Sequence, residues 1–510
     1  MADKTDGPGG GPISRLDLAA DEIRRIGGDA VDLIADYYDS IRDRPVFSGV
    51  TARDVSERVD QALPEAGADF DELLDVFRDV ILRFNRHNGH PRFFGYVASP
   101  GTAVTAIADM LASALNSNVT SWRSAPASTH IERLTIDWIK QILGYPADAC
   151  GAFVSGGSMA NFSGLAVARG VKAPAKVAQD GMRAVGQAMR IYMSEEGHHS
   201  ITKAVGLLGI GQNNLRVVRV DDRFRIDIGD LTRKVEEDLR DGHLPFCVVA
   251  SAGTVNTGAF DPLGEVADVA RAYDLWMHVD ASYGGFAVMA ESARRLFDRI
   301  SEADSISLDP HKWLYAPIDC GCVLYRDPAA ARAAFSHDAE YTRIVEREPD
   351  ESFAFWDYSP ELSRRFRALK VWMMLKSVGT RALGEAVEKN IACAKRLARL
   401  VESSEDFEML APVELSVFCF RYIPASARRE LRGASRERAE EIDRQLDELN
   451  ERVMIELQRD GGAYLSNARV RGRFSLRGCV INYRTTERDM QTLLEDVRRI
   501  AERIEAERIE

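Results

Sequence analysis

The chain has 510 residues, 45% of them hydrophobic and 28% charged, enough to bury a large core and to divide into more than one domain. A formal net charge of -13 with no long run of Lys or Arg argues against nucleic acid or an anionic membrane as the main partner and favours small-molecule chemistry. The seven cysteines are scattered, most of them in apolar runs such as Phe246-Cys247-Val248-Val249, a pattern of reduced core residues. Cys320-Gly321-Cys322 is spaced too closely for a zinc hairpin and lacks a second ligand pair, so no metal is expected. The N-terminus lacks a charged-then-apolar signal pattern, and no stretch approaches the roughly 20 apolar residues of a membrane span. The cytoplasm is the expected address, with no membrane partner.

After a Gly- and Pro-containing start, residues 17–85 read as amphipathic helices, with Ile23, Ile26, Val31, Ile34 and Tyr37 at mixed three- and four-residue spacing. From about 100 to 330 short apolar strands alternate with helical patterns. Phe246 to Ala250 is a continuous apolar run, and Pro262 opens a helix striped by Leu263, Val266, Val269 and Tyr273. A second run follows at Leu275 to Val279. Strand, helix and strand at this spacing predict a parallel βαβ unit. Ile306 to Leu308 and Cys320 to Tyr325 continue the series, so the fold class is α/β with a mostly parallel sheet covered on both faces. Residues 326–360 break the rhythm and are long for a connection, which suggests a lid. A long helix is expected after Arg364. Residues 410–510 mix strands (Val417 to Tyr422, Cys479 to Tyr483) with charged helices, predicting a C-terminal α+β domain. The Arg/Glu-rich stretch 427–440 reads as a solvated face, and there are no internal repeats.

Ligands of open α/β sheets bind beyond the carboxyl ends of the strands, and three groups fall there. Asp280 follows the strand in His278-Val279-Asp280-Ala281-Ser282. His311 and Lys312 lie just past another in Ser307-Leu308-Asp309-Pro310-His311-Lys312-Trp313. Phe153-Val154-Ser155-Gly156-Gly157-Ser158 ends an apolar run with two glycines and a serine before a helix. Glycine lets backbone approach a ligand, and a helix N-terminus offers free N–H groups to a phosphate. Each alone is ordinary: a capped helix, a turn aspartate, a surface lysine. An amine, a strand-end carboxylate and a phosphate cradle together are what pyridoxal 5′-phosphate (PLP) requires.

On these motifs the chain resembles the group II PLP-dependent amino-acid decarboxylases, of fold type I. The resemblance also takes in His90-Pro91-Arg92-Phe93-Phe94-Gly95-Tyr96, Leu362-Ser363-Arg364-Arg365-Phe366-Arg367 and Asn482-Tyr483-Arg484-Thr485-Thr486. It implies a homodimer with active sites at the subunit interface. The expected parts are a helical arm and dimerisation segment over 1–100, a large PLP domain over 101–370 with its lid near 326–360, and a small domain over 371–510. By the same resemblance Lys312 is the Schiff-base lysine, Asp280 pairs with the pyridine nitrogen, and His198 stacks on the ring, with adjacent His199 structural. Gly157, Ser158 and His311 hold the phosphate. Asp309 stands where aromatic-amino-acid decarboxylases carry Asn. Ser282 lies near the ring, and because Val255 replaces a Thr of several relatives, a hydroxyl contact there falls to Thr254 or is absent.

The resemblance assigns Tyr341 as the loop tyrosine that protonates the product; in relatives with Phe there, oxidative deamination to an aldehyde competes. His90, Tyr96, Ser99 and Arg364 match substrate- or cofactor-contacting positions. Asn88 and Thr120 replace aromatic residues of aromatic decarboxylases. The implied activity is decarboxylation of an L-amino acid, aromatic in preference to acidic or other side chains such as glutamate, aspartate or diaminobutyrate. Rival readings are a PLP-dependent aldehyde synthase or aminotransferase, and a non-enzymatic PLP-binding relative.

Overall fold

A computed structural model describes residues 16–336 and 351–507. Its centre is a seven-stranded sheet of β1 (Cys150–Val154), β2 (Met189–Ser194), β3 (Leu215–Val218), β4 (Leu244–Ser251), β5 (Trp276–Ala281), β6 (Ser305–Leu308) and β7 (Gly321–Tyr325). The spatial order is β1-β7-β6-β5-β4-β2-β3. The run Phe246 to Ala250 falls in β4, the middle of the parallel set, where both faces are covered and every position must be apolar. Helix Leu263–Ala272 follows with Leu263, Val266 and Val269 buried, as the spacing requires.

β7 alone runs against the rest, paired antiparallel to β6 on one side and to β1 on the other. The twelve residues between β6 and β7 hold no crossover helix, so the chain can only return in the opposite sense. Because β1 is antiparallel to a reversed strand, it points the same way as β2, β4, β5 and β6. The carboxyl ends of all five therefore open on one edge of the sheet, and Gly321 at the start of β7 joins them there, opposite Val154.

The second sheet, with order β10-β11-β9-β8, is antiparallel throughout: β8 (Phe407–Met409), β9 (Val417–Tyr422), β10 (Ser466–Val470) and β11 (Arg473–Cys479). Helices Arg436–Asp460 and Glu487–Glu507 bury Val453, Leu457, Leu493 and Val497 with Phe418 and Phe420 of this sheet. The expected strand from Cys479 to Tyr483 is displaced: β11 ends at Cys479, and the apolar residues beyond it are buried as an extended tie. There the Asn482 side chain donates to the carbonyls of Gly89 and His90. Apolar alternation cannot tell a strand from a buried segment bonded by side chains.

The long helix Ala368–Glu402 contacts helix Ala103–Leu115 and also β8 and β9 of the second sheet, and breaks direction at Gly379, whose φ of 79° suits glycine. At the other end of the chain, helix Ala20–Ser40 buries none of its residues. Ile23, Val31 and Ile34 of its predicted stripe stay exposed. Among the described residues no helix is long and apolar enough to cross a membrane.

Candidate active site

A cavity of about 330 Å³ opens at the strand-end edge, lined by Gly157, Ser158, His198, Thr254, Asp280, Ser282, Asp309, His311 and Lys312, together with Val97, Met159, Val255 and Tyr283. The strands account for the convergence. β1 delivers the glycine turn, β2 leads to His198, β4 to Thr254, β5 carries Asp280 as its last residue but one, and the turn after β6 carries Asp309, His311 and Lys312. That turn is fixed by the Lys312 N–H donating to the Asp309 carbonyl at 2.9 Å, and by His311 Nδ1 donating to the carbonyl of Cys320 at 2.7 Å.

The glycines of the turn are required by close approach. A Cβ on Gly157 would lie 2.4 Å from Ser282 Oγ and 2.8 Å from Asp309 Oδ2, and one on Gly321 would lie 2.5 Å from the Gly156 Cα. The turn thus presses onto the ends of β5, β6 and β7 and presents the N-terminus of helix Gly157–Lys172 to the cavity. Free N–H groups there suit an anion such as a phosphate.

Asp280 is buried yet held as an anion. It accepts from Asn161 Nδ2 at 2.9 Å, from Ser307 Oγ at 3.0 Å and from the Ser282 N–H at 3.1 Å. Burial alone would raise its carboxyl. The hydrogen bond from Ser282 and the neighbouring His198, Lys312 and His278 outweigh this and hold it below the usual carboxylate range. Such an anion can keep a pyridine nitrogen protonated. Lys312 Nζ stands 3.0 Å from Asp309 Oδ2. His198 caps helix His199–Leu207, its Nδ1 accepting from the Ser200 N–H at 3.2 Å. Burial lowers its pKa, and the remaining proton sits on Nε2. The Thr254 hydroxyl is engaged within its own loop, accepting from the Ala259 N–H at 3.1 Å and meeting Thr257 Oγ1 at 2.9 Å.

Other expected residues fall outside this cavity lining. Arg364 is fully buried: it pairs with fully buried Glu132, donates to the carbonyls of Val119 and Phe153, and lies over the Phe355 ring at 4.2 Å. It therefore braces the end of β1. His90 is buried between the Arg42 carbonyl and the Arg92 N–H, with its pKa brought down to about 4 by burial. Tyr96 is half exposed against Arg86 and Tyr464, and Ser99 donates to the His311 carbonyl at 2.7 Å. Val97, between Tyr96 and Ser99, is the residue of that segment that lines the cavity. Tyr341 lies outside the described residues.

Sequence reasoning missed Asn161 and Ser307. Ser307 stood in the quoted lysine segment. Asn161 sits one helical turn after Gly157, which places it over the same strand ends, and only the fold shows that Asp280 is its partner.

A buried carboxylate, an amine and a glycine-lined helix N-terminus around one cavity fit the ring nitrogen, aldehyde and phosphate of PLP. Residues 53–423 match the model of the pyridoxal-dependent decarboxylase conserved domain. The chain belongs to that family: it is a PLP-dependent decarboxylase of fold type I. Over 489 residues it is 35% identical to an aromatic-L-amino-acid decarboxylase of Bacillus atrophaeus, covering 96% of this chain and 97% of that protein. It is 32% identical over 476 residues to tryptophan decarboxylase 1 of Oryza sativa subsp. japonica, covering 91% and 90%. The crystal structure of Oryza sativa TDC with PLP and tryptamine superposes with a TM-score of 0.86 at 29% identity, covering 96% of this chain and 99% of that one.

Proposed function

We propose that this decarboxylase converts an aromatic L-amino acid to its amine and carbon dioxide. Names of similar proteins support the substrate class, and the observation that carries the chemistry is the anionic Asp280 in one cavity with Lys312 and the Gly157 cradle. PLP, when bound, supplies an electron-withdrawing ring that accepts the electrons left as carbon dioxide departs. Lys312 would carry the cofactor and Asp280 would hold its ring nitrogen protonated. His198 would cover the ring, while Gly157, Ser158 and His311 would hold the phosphate. Ser282 and Thr254 close the wall, and Val97, Val255 and Tyr283 give it an apolar side for the substrate. Tyr341 is assigned the proton that replaces the carboxylate.

The working unit is proposed to be a homodimer in the cytoplasm, built from the three parts 1–100, 101–370 and 371–510. A 21-residue helix with no buried residue calls for a partner surface. So do Ile107, Met110, Leu111 and Leu115, exposed on helix Ala103–Leu115. All seven cysteines are free thiols, as in a reducing compartment. Incubation with a panel of L-amino acids, following amine, carbon dioxide and hydrogen peroxide, tests the activity. Amine and carbon dioxide in equal amounts, highest with tryptophan, tyrosine or phenylalanine, are expected; faster turnover of glutamate or aspartate would refute the aromatic assignment.

A further inference from the structure

Asp309 is 3% exposed, and its Oδ1 has no hydrogen-bond partner among the described residues. Its Oδ2 faces Lys312 Nζ at 3.0 Å and His311 Nε2 at 3.6 Å. The tautomer of His311 follows from its other nitrogen: Nδ1 is 2.7 Å from the Cys320 carbonyl, an acceptor only, so Nδ1 carries the hydrogen. In the neutral ring Nε2 is then a bare lone pair. It points at the carboxylate, beside the glycine turn that a phosphate would occupy. Carboxylate, imidazole lone pair and phosphate would be three acceptors with no hydrogen between them, and the one cation within 4 Å of the Asp309 carboxylate among the described residues apart from His311, Lys312, is committed to the cofactor's aldehyde. That union is itself neutral in protons, because two ammonium hydrogens leave with the aldehyde oxygen as water.

We propose that phosphate binding draws one proton from solvent into the Asp309–His311 pair, so that the pair meets the phosphate as a hydrogen-bond donor. This inference rests on the PLP reading of the cavity and adds to it the way this chain accommodates a carboxylate at its phosphate site. The surrounding groups leave the pair as the place for that proton. From the end of β5, Asp280 is committed as an anion and Ser282 does not titrate. His198, from the loop after β2, is held neutral by burial. Cys320 and Cys322, flanking the start of β7, are kept as thiols by burial. Lys370, from the long helix, is paired with Asp109 at 3.0 Å.

The test compares PLP with 5′-deoxypyridoxal, which keeps the ring and aldehyde and lacks the phosphate. Each is added to cofactor-stripped full-length protein in weak buffer near pH 8, where a phosphate monoester is mostly dianionic, and proton uptake is read with an indicator dye. The wild type should take up about one more proton per site with PLP than with the deoxy compound. Its PLP dissociation constant should rise about tenfold per pH unit across the range of uptake. Asp309→Asn should show no difference in uptake between the two compounds and bind PLP with a flatter pH dependence. Asp309→Ser serves as a second variant, and circular dichroism verifies the fold of both. Equal uptake with the two compounds in the wild type, or an undiminished difference between them in either variant, would overturn the proposal. Failure of the wild type to bind either compound would overturn the cofactor reading and this inference with it.

Discussion

Asn161→Ala removes one hydrogen-bond donor from a buried carboxylate, and its effect can be followed from the structure to a pH profile. The Asn161 amide nitrogen donates to Asp280 Oδ2 and to Ser200 Oγ, both at 2.9 Å, and its oxygen faces His278 Nε2 at 2.8 Å. A carboxylate only accepts, so the amide orientation is forced and His278 must carry its proton on Nε2. The chain closes behind it: His278 Nδ1 meets Ser305 Oγ at 2.8 Å, and Ser305 accepts from Trp276 Nε1 at 2.8 Å. Burial brings the His278 pKa down to about 4, so the relay is neutral at working pH.

A hydrogen bond to a charged group contributes about 1.5–3 kcal/mol, or roughly one to two pKa units at about 1.4 kcal/mol per unit. The sign follows from which form is stabilised. The donor favours ionised Asp280, so removing it raises the carboxyl pKa, and activity is lost at a higher pH as the solution is acidified. The acid limb of kcat/KM should therefore move up by roughly one to two units, while the rate at alkaline pH, where Asp280 remains ionised, falls much less. Rates with an aromatic amino acid from about pH 3 to 9, with circular dichroism to verify the fold at each pH and the absorption of bound cofactor alongside, measure this. An unmoved acid limb, or a loss equal at every pH, would refute the assignment of Asn161 as the group that keeps Asp280 charged.

Gly157→Ala places a methyl group 2.4 Å from Ser282 Oγ; overpacking of this kind costs about 1–3 kcal/mol, so PLP should bind roughly 5- to 150-fold more weakly by equilibrium dialysis. Glu132→Ala leaves the Arg364 guanidinium buried without its anion, and breaking such a pair costs about 3–5 kcal/mol; urea unfolding should show that loss, and unchanged stability would show that the two carbonyls alone satisfy Arg364. Tyr341→Phe should lower amine yield and raise aldehyde and hydrogen peroxide, read by chromatography and a peroxidase assay. Unaltered products would remove Tyr341 from the proton step.

The strand-end residues were legible because their chemistry is written in short contiguous segments. Asp280 and Lys312 each follow an apolar run, and Gly156-Gly157-Ser158 joins a run to a helix, so local pattern places them at the same sheet edge. Arg364 shows the limit: its motif resembled one that contacts a cofactor or substrate, yet in the fold its charge is consumed by Glu132, 232 residues away. The stripe Ile23, Val31 and Ile34 specifies a helix without specifying what covers it. Periodicity along a chain reports which face is apolar, never which surface it meets.

By itself, then, the sequence determined the α/β class and the cofactor, since spacing and residue type are one-dimensional. Tertiary structure decided the reversal of β7, the relay from Trp276 through His278 and Asn161 to Asp280, and the closing of the Gly157 turn onto Ser282 and Asp309. Those depend on distances and donor directions between segments far apart in the chain. A hydrogen bond at 2.9 Å between residues 161 and 280 exists only once four strands have been laid side by side.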